Sequence, residues 1–126
     1  MSEILGIARF RFLEGKRDEY LRLSEQANAI VAAKDSGTLQ YDLFLNDDQT
    51  ECMIVERYRD SEAAMEHAAN LGHLFDDVLA TVSIVHGELL GDVSAELRAR
   101  LAGSDVPVLF TPYRSNAATV APPLID

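Results

Sequence analysis

The pattern of apolar residues divides the chain into strand-like and helix-like segments. Residues 4–12 (ILGIARFRF) carry apolar side chains on both alternating faces, which predicts a strand that is covered on both sides. Residues 17–34 carry them at steps of three and four, which predicts an amphipathic helix. Asp35 and Ser36 are expected to end this helix, and Gly37 suits a left-handed cap.

A hairpin and a second helix are predicted in the middle of the chain. Every second residue from 39 to 45 is apolar, which indicates a strand with one buried face. The polar turn at residues 46–49 (NDDQ) and the apolar run at residues 52–58 complete the hairpin. Asp60 or Ser61 then provides the side-chain acceptor that begins a helix.

The second half of the chain completes the pattern. The second helix is expected to kink at Gly72, and residues 82–90 alternate as a fourth strand, with Val82, Ile84, His86 and Glu88 on one face. The resulting order, β-α-β-β-α-β, predicts an α+β fold of the ferredoxin-like type.

A C-terminal extension follows this unit. A short helix and a short edge strand, the latter containing Pro107, are predicted after the fourth strand. We therefore divide the chain into a ferredoxin-like domain, residues 1–91, and an extension, residues 92–126, which is expected to pack on a partner subunit. Within the extension, residues 115–126 are expected to form a loose tail or an arm laid on that partner.

The strands predict a homodimer. Two helices can cover one face of a four-stranded sheet, yet these strands offer apolar residues on both faces, and an uncovered apolar face is best buried against a second copy. Arg9 and Arg11 on the first strand, with His86 and Glu88 on the fourth, interrupt these faces. The first and fourth strands are not expected to pair with each other in the sheet, so these charges are expected to form ion pairs across the dimer interface.

Composition narrows the possible partners. The 126 residues include 11 basic and 21 acidic side chains, which give a net charge of −10 that repels nucleic acid and anionic membranes. No apolar run is long enough to span a membrane, and no secretory signal is apparent. With one cysteine, Cys52, a reduced cytoplasmic setting is expected.

Two histidines of the second helix are the main chemical candidates. His67 lies on the apolar side of the helix, where it would be either a buried structural imidazole or a base that takes a proton from a phenol. His73 follows the kink, where it would be either an exposed side chain or part of a cavity mouth. No Cys or carboxylate completes a ligand set at familiar spacing, so no metal is expected.

Aromatic and acidic residues complete the candidate set. Tyr41 is expected to be a core residue with a satisfied hydroxyl, or to orient a ring-bearing ligand; Glu56 is a possible partner of His67. An open cavity edged by His67 would favour catalysis, whereas one closed by the aromatic rings of Phe10, Phe44 and Phe75 would favour a scaffold. The chain lacks a phosphate-binding glycine loop, a nucleophile elbow and a CxxC motif.

Three short segments resemble the antibiotic biosynthesis monooxygenase superfamily, the dimeric α/β-barrel proteins. They are residues 37–41 (GTLQY), residues 56–60 (ERYRD), and residues 62–64 (EAA) with His67. The resemblance extends over the arrangement of residues 4–90, and Tyr58 fills the position of an aromatic residue that often follows the glutamate.

The resemblance implies a homodimer with a cavity between sheet and helices in each subunit. Characterised members oxidise quinol-like or polycyclic aromatic substrates with molecular oxygen and without metal or flavin, so no cofactor is expected. A haem-degrading branch uses an Asn, Trp and His set; this chain contains no tryptophan, which argues against that activity.

Two functions follow from this reasoning. The first is a cofactor-independent monooxygenase for a small quinol-like or phenolic substrate, with His67 as the catalytic residue and a cavity formed by Tyr41, Glu56, Tyr58, His73 and Phe75. The second is a non-catalytic homodimer that binds a small aromatic molecule or acts as a scaffold, because fold does not imply function.

Overall fold

Strands and helices alternate along the chain in the predicted order. The structure is a computed structural model that describes residues 2–114. Its elements are β1 (Ile4–Phe12), α1 (Arg17–Lys34), β2 (Thr38–Leu45), β3 (Glu51–Tyr58), α2 (Ser61–Leu71), a 3₁₀ turn (Gly72–Leu74), α3 (Phe75–Leu79), β4 (Val82–Leu90), α4 (Ala95–Leu101) and β5 (Val108–Phe110).

The five strands form one sheet in the order β2-β3-β1-β4-β5. All neighbours are antiparallel except β4 and β5, which are parallel. This arrangement confirms the α+β, ferredoxin-like fold. It also shows that the first and fourth strands are hydrogen-bonded neighbours, so the expectation that they are separate was wrong. The crossover helix α1 carries β2 to the edge of the sheet, which leaves both sides of β1 free to pair.

The helices cover one face of the sheet, and the core lies between them. Ile4 at the start of β1 is fully buried against Tyr58, Ala63 and the α4 residue Leu97. Further along, Tyr20 of α1 packs on the sheet, and helix residues around Ala27 pack with Leu74. The C-terminal helix and β5 thus contact the core and sheet of their own chain. Their packing on a partner, and the division at residue 91, stay predictions.

Two strand irregularities change which side chains face the helices. The β2–β3 pairing shifts between Thr38 and Gln40, so Leu39 falls outside the alternation and is exposed rather than buried. The β1–β4 pairing skips Val85, so Val82 and Ile84 share the helix-covered face while His86 lies on the opposite one. The predicted single face for these three residues was therefore wrong.

The opposite face of the sheet has no helix over it within residues 2–114. At one end of this face lies Glu51, whose carboxylate accepts hydrogen bonds from Arg9 at 2.7 Å and from Arg11 at 2.6 Å. These guanidinium groups lower the pKa of Glu51 below its ordinary value, with the bonds from Arg11 the largest cause. The apolar side chains on this face are Leu5, Ile7, Phe44, Met53, Val55, Leu90, Val108 and Phe110.

None of the helices in the described part of the chain combines the length and apolar character needed to span a bilayer. The predicted tail, residues 115–126, lies outside the described residues.

Gly37 allows α2 to approach the start of β2 closely. Its backbone φ is not positive, so the predicted left-handed cap was wrong, and its carbonyl instead accepts a bond from the Arg59 amide at 2.8 Å. A Cβ at residue 37 would lie 2.5 Å from the Cβ of Ala63. The reason for glycine here is therefore space, because the helix that carries His67 lies directly above.

Replacing Gly37 should destabilise the protein. Gly37→Ala is expected to lower the free energy of unfolding by about 1–3 kcal/mol, because the new methyl group overpacks the contact with α2. The measurement is urea denaturation followed by circular dichroism. Gly72→Ala is the matched control, because a Cβ there has no neighbour within 4 Å and the backbone is already helical. Equal stability of the two variants would contradict the packing argument.

Candidate functional site

An open cavity lies between the sheet and helices α1, α2 and α3. Its volume is about 490 Å³, within the range of small-molecule sites. The strands provide its floor and the helices its walls, and the exposed ring of Phe75 stands at its edge. The lining residues are Phe10, Ala27, Tyr41, Ile54, Glu56, His67, Ala68, Leu71, Gly72, Leu74, Phe75 and Val78.

His67 is held on the inward side of α2. Asp60, one of the two predicted caps, precedes the first helical residue, and its side chain accepts a hydrogen bond from the Ala63 amide at 2.9 Å. Two turns later, the His67 ring points toward the sheet, and only 10% of its side-chain surface remains exposed. The ring lies between Tyr41 and Tyr58, with centroids 5.1 and 5.2 Å away.

A buried carboxylate faces one nitrogen of this imidazole. Asp35 Oδ2 lies 2.7 Å from His67 Nδ1, and the Asp35 side chain is 1% exposed. Thr38 Oγ1 donates to the same oxygen and Asn70 Nδ2 to the other, both at 2.7 Å. Burial raises the pKa of Asp35, but the hydrogen bonds from these three partners outweigh it and hold the pKa below its ordinary value. Asp35 is therefore a carboxylate at neutral pH.

A second carboxylate lies near the other nitrogen. Glu56 Oε1 is 3.6 Å from His67 Nε2, beyond direct hydrogen-bond distance. The same oxygen accepts a hydrogen bond from the hydroxyl of Tyr58. Glu56 is partly exposed and lines the cavity, so a bound hydroxyl can approach both groups.

The two tyrosines of the site are protonated, so they are available as hydrogen-bond donors rather than as bases. Burial is the largest cause that raises the pKa of Tyr41 and of Tyr58 well above the ordinary value of 10.0. The nearby charge of Glu56 adds to both shifts. Both phenols consequently keep their protons at neutral pH.

The structure brings most of the predicted site residues together. Tyr41, Glu56, His67 and Phe75 line the same cavity, whereas Tyr58 lies behind His67 and reaches the site through its bond to Glu56. His73 is exposed and is not part of the lining. It lies in the 3₁₀ turn, where each residue advances by about a third of a turn, so Leu74 points inward instead.

Of the two arrangements considered, closure of the cavity by three aromatic rings is not observed. Phe10 contributes to the floor, and Phe75 stands at the edge with most of its ring exposed. Phe44 lies on the opposite face of the sheet, because it pairs with Met53 rather than with a residue under the helices. The cavity is therefore open and edged by His67, the arrangement that favours catalysis.

Sequence reasoning missed three residues of the site, namely Asp35, Thr38 and Asn70. Asp35 was interpreted as the end of a helix, which it is, since its amide donates to the Val31 carbonyl. It is 32 residues from His67, and a separation of that size carries no spacing signal.

The chemistry available here is proton transfer. An imidazole whose Nδ1 is bonded to a carboxylate can take or give a proton at Nε2, and Glu56 can share that proton. Within residues 2–114, no three His, Cys, Asp or Glu side chains are grouped so that they could hold a metal ion.

This combination of fold and site defines a ferredoxin-like protein with a small-molecule cavity beside an acid–base pair. Residues 4–74 match the family model described as antibiotic biosynthesis monooxygenase. The chain belongs to this family, which confirms the resemblance seen in its sequence.

Solved structures share the same fold. MupZ from Pseudomonas fluorescens is 22% identical, with a TM-score of 0.75, and the match covers 94% of this chain and 93% of that one. SnoaB from Streptomyces nogalater, described as a cofactor-independent oxygenase, is 18% identical, with a TM-score of 0.60 and coverage of 71% and 91%. Rv0793 from Mycobacterium tuberculosis is 22% identical, with a TM-score of 0.58 and coverage of 73% and 96%. Among curated proteins, none matches this chain in sequence.

Filling the cavity should block ligand binding. Ala68→Phe places a ring in the apolar space next to His67, and a steric cost of about 1–3 kcal/mol to the bound ligand corresponds to a loss of affinity of about five- to 150-fold. The measurement is titration with 1-naphthol, a small aromatic phenol, followed by its fluorescence. Ala33→Phe, on the exposed side of α1, is the control. Unchanged naphthol affinity in Ala68→Phe would show that the phenol binds elsewhere.

Proposed function

We propose that this protein is a cofactor-independent monooxygenase that acts on a quinol-like or phenolic aromatic substrate. The observation that carries the proposal is the His67 imidazole, which is bonded to the Asp35 carboxylate and edges an apolar cavity of about 490 Å³. Membership of the family and the likeness in fold to the oxygenase SnoaB support it.

The first step is removal of a phenolic or enolic proton by His67. With Nδ1 engaged by Asp35, Nε2 is the nitrogen available to a substrate hydroxyl, and Glu56 lies close enough to share the proton. The resulting anion is electron-rich and reacts with oxygen at carbon. Protein groups orient the ring, and the apolar walls limit its hydration.

The overall reaction balances without an external reductant. With anthrone, the keto form of a hydroxylated polycycle, one ring CH₂ becomes a carbonyl: C₁₄H₁₀O + O₂ gives C₁₄H₈O₂ + H₂O. The carbon supplies all four electrons that reduce the oxygen molecule. One oxygen atom enters the product, and the other leaves as water with the two protons.

Non-catalytic binding of a small aromatic molecule is the second candidate. The observation that favours it is the lining, which is apolar apart from Tyr41, Glu56 and His67. Such a lining would hold an aromatic ring whether or not a reaction followed.

The proposal includes a homodimer built on the helix-free face of the sheet. That face presents Phe44, Val108 and Phe110, each about half exposed in the single chain. A second copy would bury them, since an apolar patch of this kind is otherwise unfavourable in water. A cytoplasmic setting completes the proposal, because it would keep the thiol of Cys52 reduced.

Oxygen uptake tests the catalytic role. The purified protein, treated with chelator, should consume oxygen with anthrone or with a substituted hydroquinone, and uptake should saturate with substrate. His67→Ala should lower kcat about a hundredfold or more, the usual size of a general-base contribution.

His73→Ala serves as the matched control, because this exposed histidine lies close by in the chain but outside the lining. Uptake that is equal in wild type and His67→Ala would exclude His67 as the base. Saturable binding without uptake above the protein-free rate would favour the non-catalytic function.

A charge on the helix-free face should weaken the dimer. Light scattering should give twice the monomer mass for the wild type. Phe44→Glu should raise the dissociation constant of the dimer about tenfold or more, because a carboxylate would be buried in the interface. Leu13→Glu, at an exposed turn position, should leave the mass unchanged. A monomeric wild type would contradict the proposal.

A further inference from the structure

The position of Asp35 is fixed by the backbone at the end of α1. It caps the C-terminus of α1, where its amide donates to the Val31 carbonyl at 3.1 Å. Its extended conformation turns the side chain away from α1 and beneath α2, where only 1% of it is exposed. A carboxylate in such a place is costly unless donors surround it.

Three donors converge on this carboxylate from two elements. Thr38 at the start of β2 and His67 in α2 share Oδ2, while Asn70, one turn after His67, bonds Oδ1. An ionised carboxylate accepts hydrogen bonds and cannot donate one. The bond at 2.7 Å therefore requires a hydrogen on His67 Nδ1.

We propose that Asp35 is a positioning residue that holds neutral His67 as the Nδ1–H tautomer, so that Nε2 keeps its lone pair toward the cavity. The charged and titratable groups that face the imidazole are Asp35 at Nδ1, Glu56 at Nε2, and the rings of Tyr41 and Tyr58 at its sides. The consequence for turnover rests on the proposed function, but the tautomer itself does not.

An amide at residue 35 should reverse this preference. In Asp35→Asn, the side chain has one acceptor oxygen and one donor nitrogen where the carboxylate offered two acceptors. The NH₂ group of Asn70 cannot accept a hydrogen bond from the new amide, whereas His67 Nδ1 can when it carries no hydrogen. The simplest new arrangement therefore has the side-chain N–H of the new amide donate to a bare Nδ1 of His67. The proton then moves to Nε2, and the base is lost from the cavity side.

Nitrogen NMR of the full chain measures this directly. The protein contains three histidines, His67, His73 and His86, so ¹⁵N-labelled ring signals are assigned by comparison with His73→Gln and His86→Gln. In its neutral form, wild-type His67 should show a protonated Nδ1 and a bare Nε2. In Asp35→Asn, the Nδ1–H form should fall from the major to the minor species.

Two further variants separate positioning from general packing. Thr38→Val and Asn70→Leu each remove one donor to Asp35 but leave the carboxylate, so His67 should keep the Nδ1–H tautomer even if stability falls. Circular dichroism and the thermal midpoint report whether each variant is folded. A wild-type Nε2–H tautomer, or an unchanged tautomer in folded Asp35→Asn, would overturn the proposal.

Turnover supplies a separate readout. If anthrone is oxidised, Asp35→Asn should lower kcat by about tenfold or more and leave KM within about twofold, because the cavity walls are unchanged while the base is misoriented. Absence of oxidation with the expected NMR result would reject the proposed function and leave the role of Asp35 intact. A wild-type tautomer opposite to the expected one would reject the role of Asp35 whatever the turnover.

Discussion

The hydrogen bond between Asp35 and His67 joins three segments on the helix-covered side of the sheet. A carboxylate that is almost fully buried is stable in its charged form only if hydrogen-bond donors surround it. Asp35 accepts hydrogen bonds from Thr38 at the start of β2 and from His67 and Asn70 in α2. Those elements can meet because Gly37 has no side chain to hold α2 away. The loop after α1, the first residues of β2 and the middle of α2 are thereby joined around one charge.

The two faces of the sheet differ in composition and in what covers them, although the same strands form both. On the covered face, a cavity lies beside the core that packs between the sheet and the helices, and an acid–base pair lies at its edge. On the other face, the guanidinium groups of Arg9 and Arg11 bind the Glu51 carboxylate beside apolar neighbours, which suits the proposed dimer interface.

Much of this architecture could be predicted from periodicity, because long regular segments repeat their signal. The bounds of β1, α1 and β4 agree with the prediction to the residue, and Tyr41, Glu56 and His67, which are close in sequence, line one cavity. Irregular backbone could not be predicted. A single extra residue at Leu39 or at Val85 shifts the alternation, and nothing in the local composition marks where a strand will bulge.

The partner of a buried histidine is harder to predict than the histidine itself. His67 stands out because it interrupts an apolar helix face, whereas Asp35 looks like an ordinary residue at a helix end. Its second role arises only when the fold turns that end beneath another helix. Since a lone imidazole can adopt either tautomer, the residue that sequence reasoning missed is the one that decides which nitrogen the cavity meets.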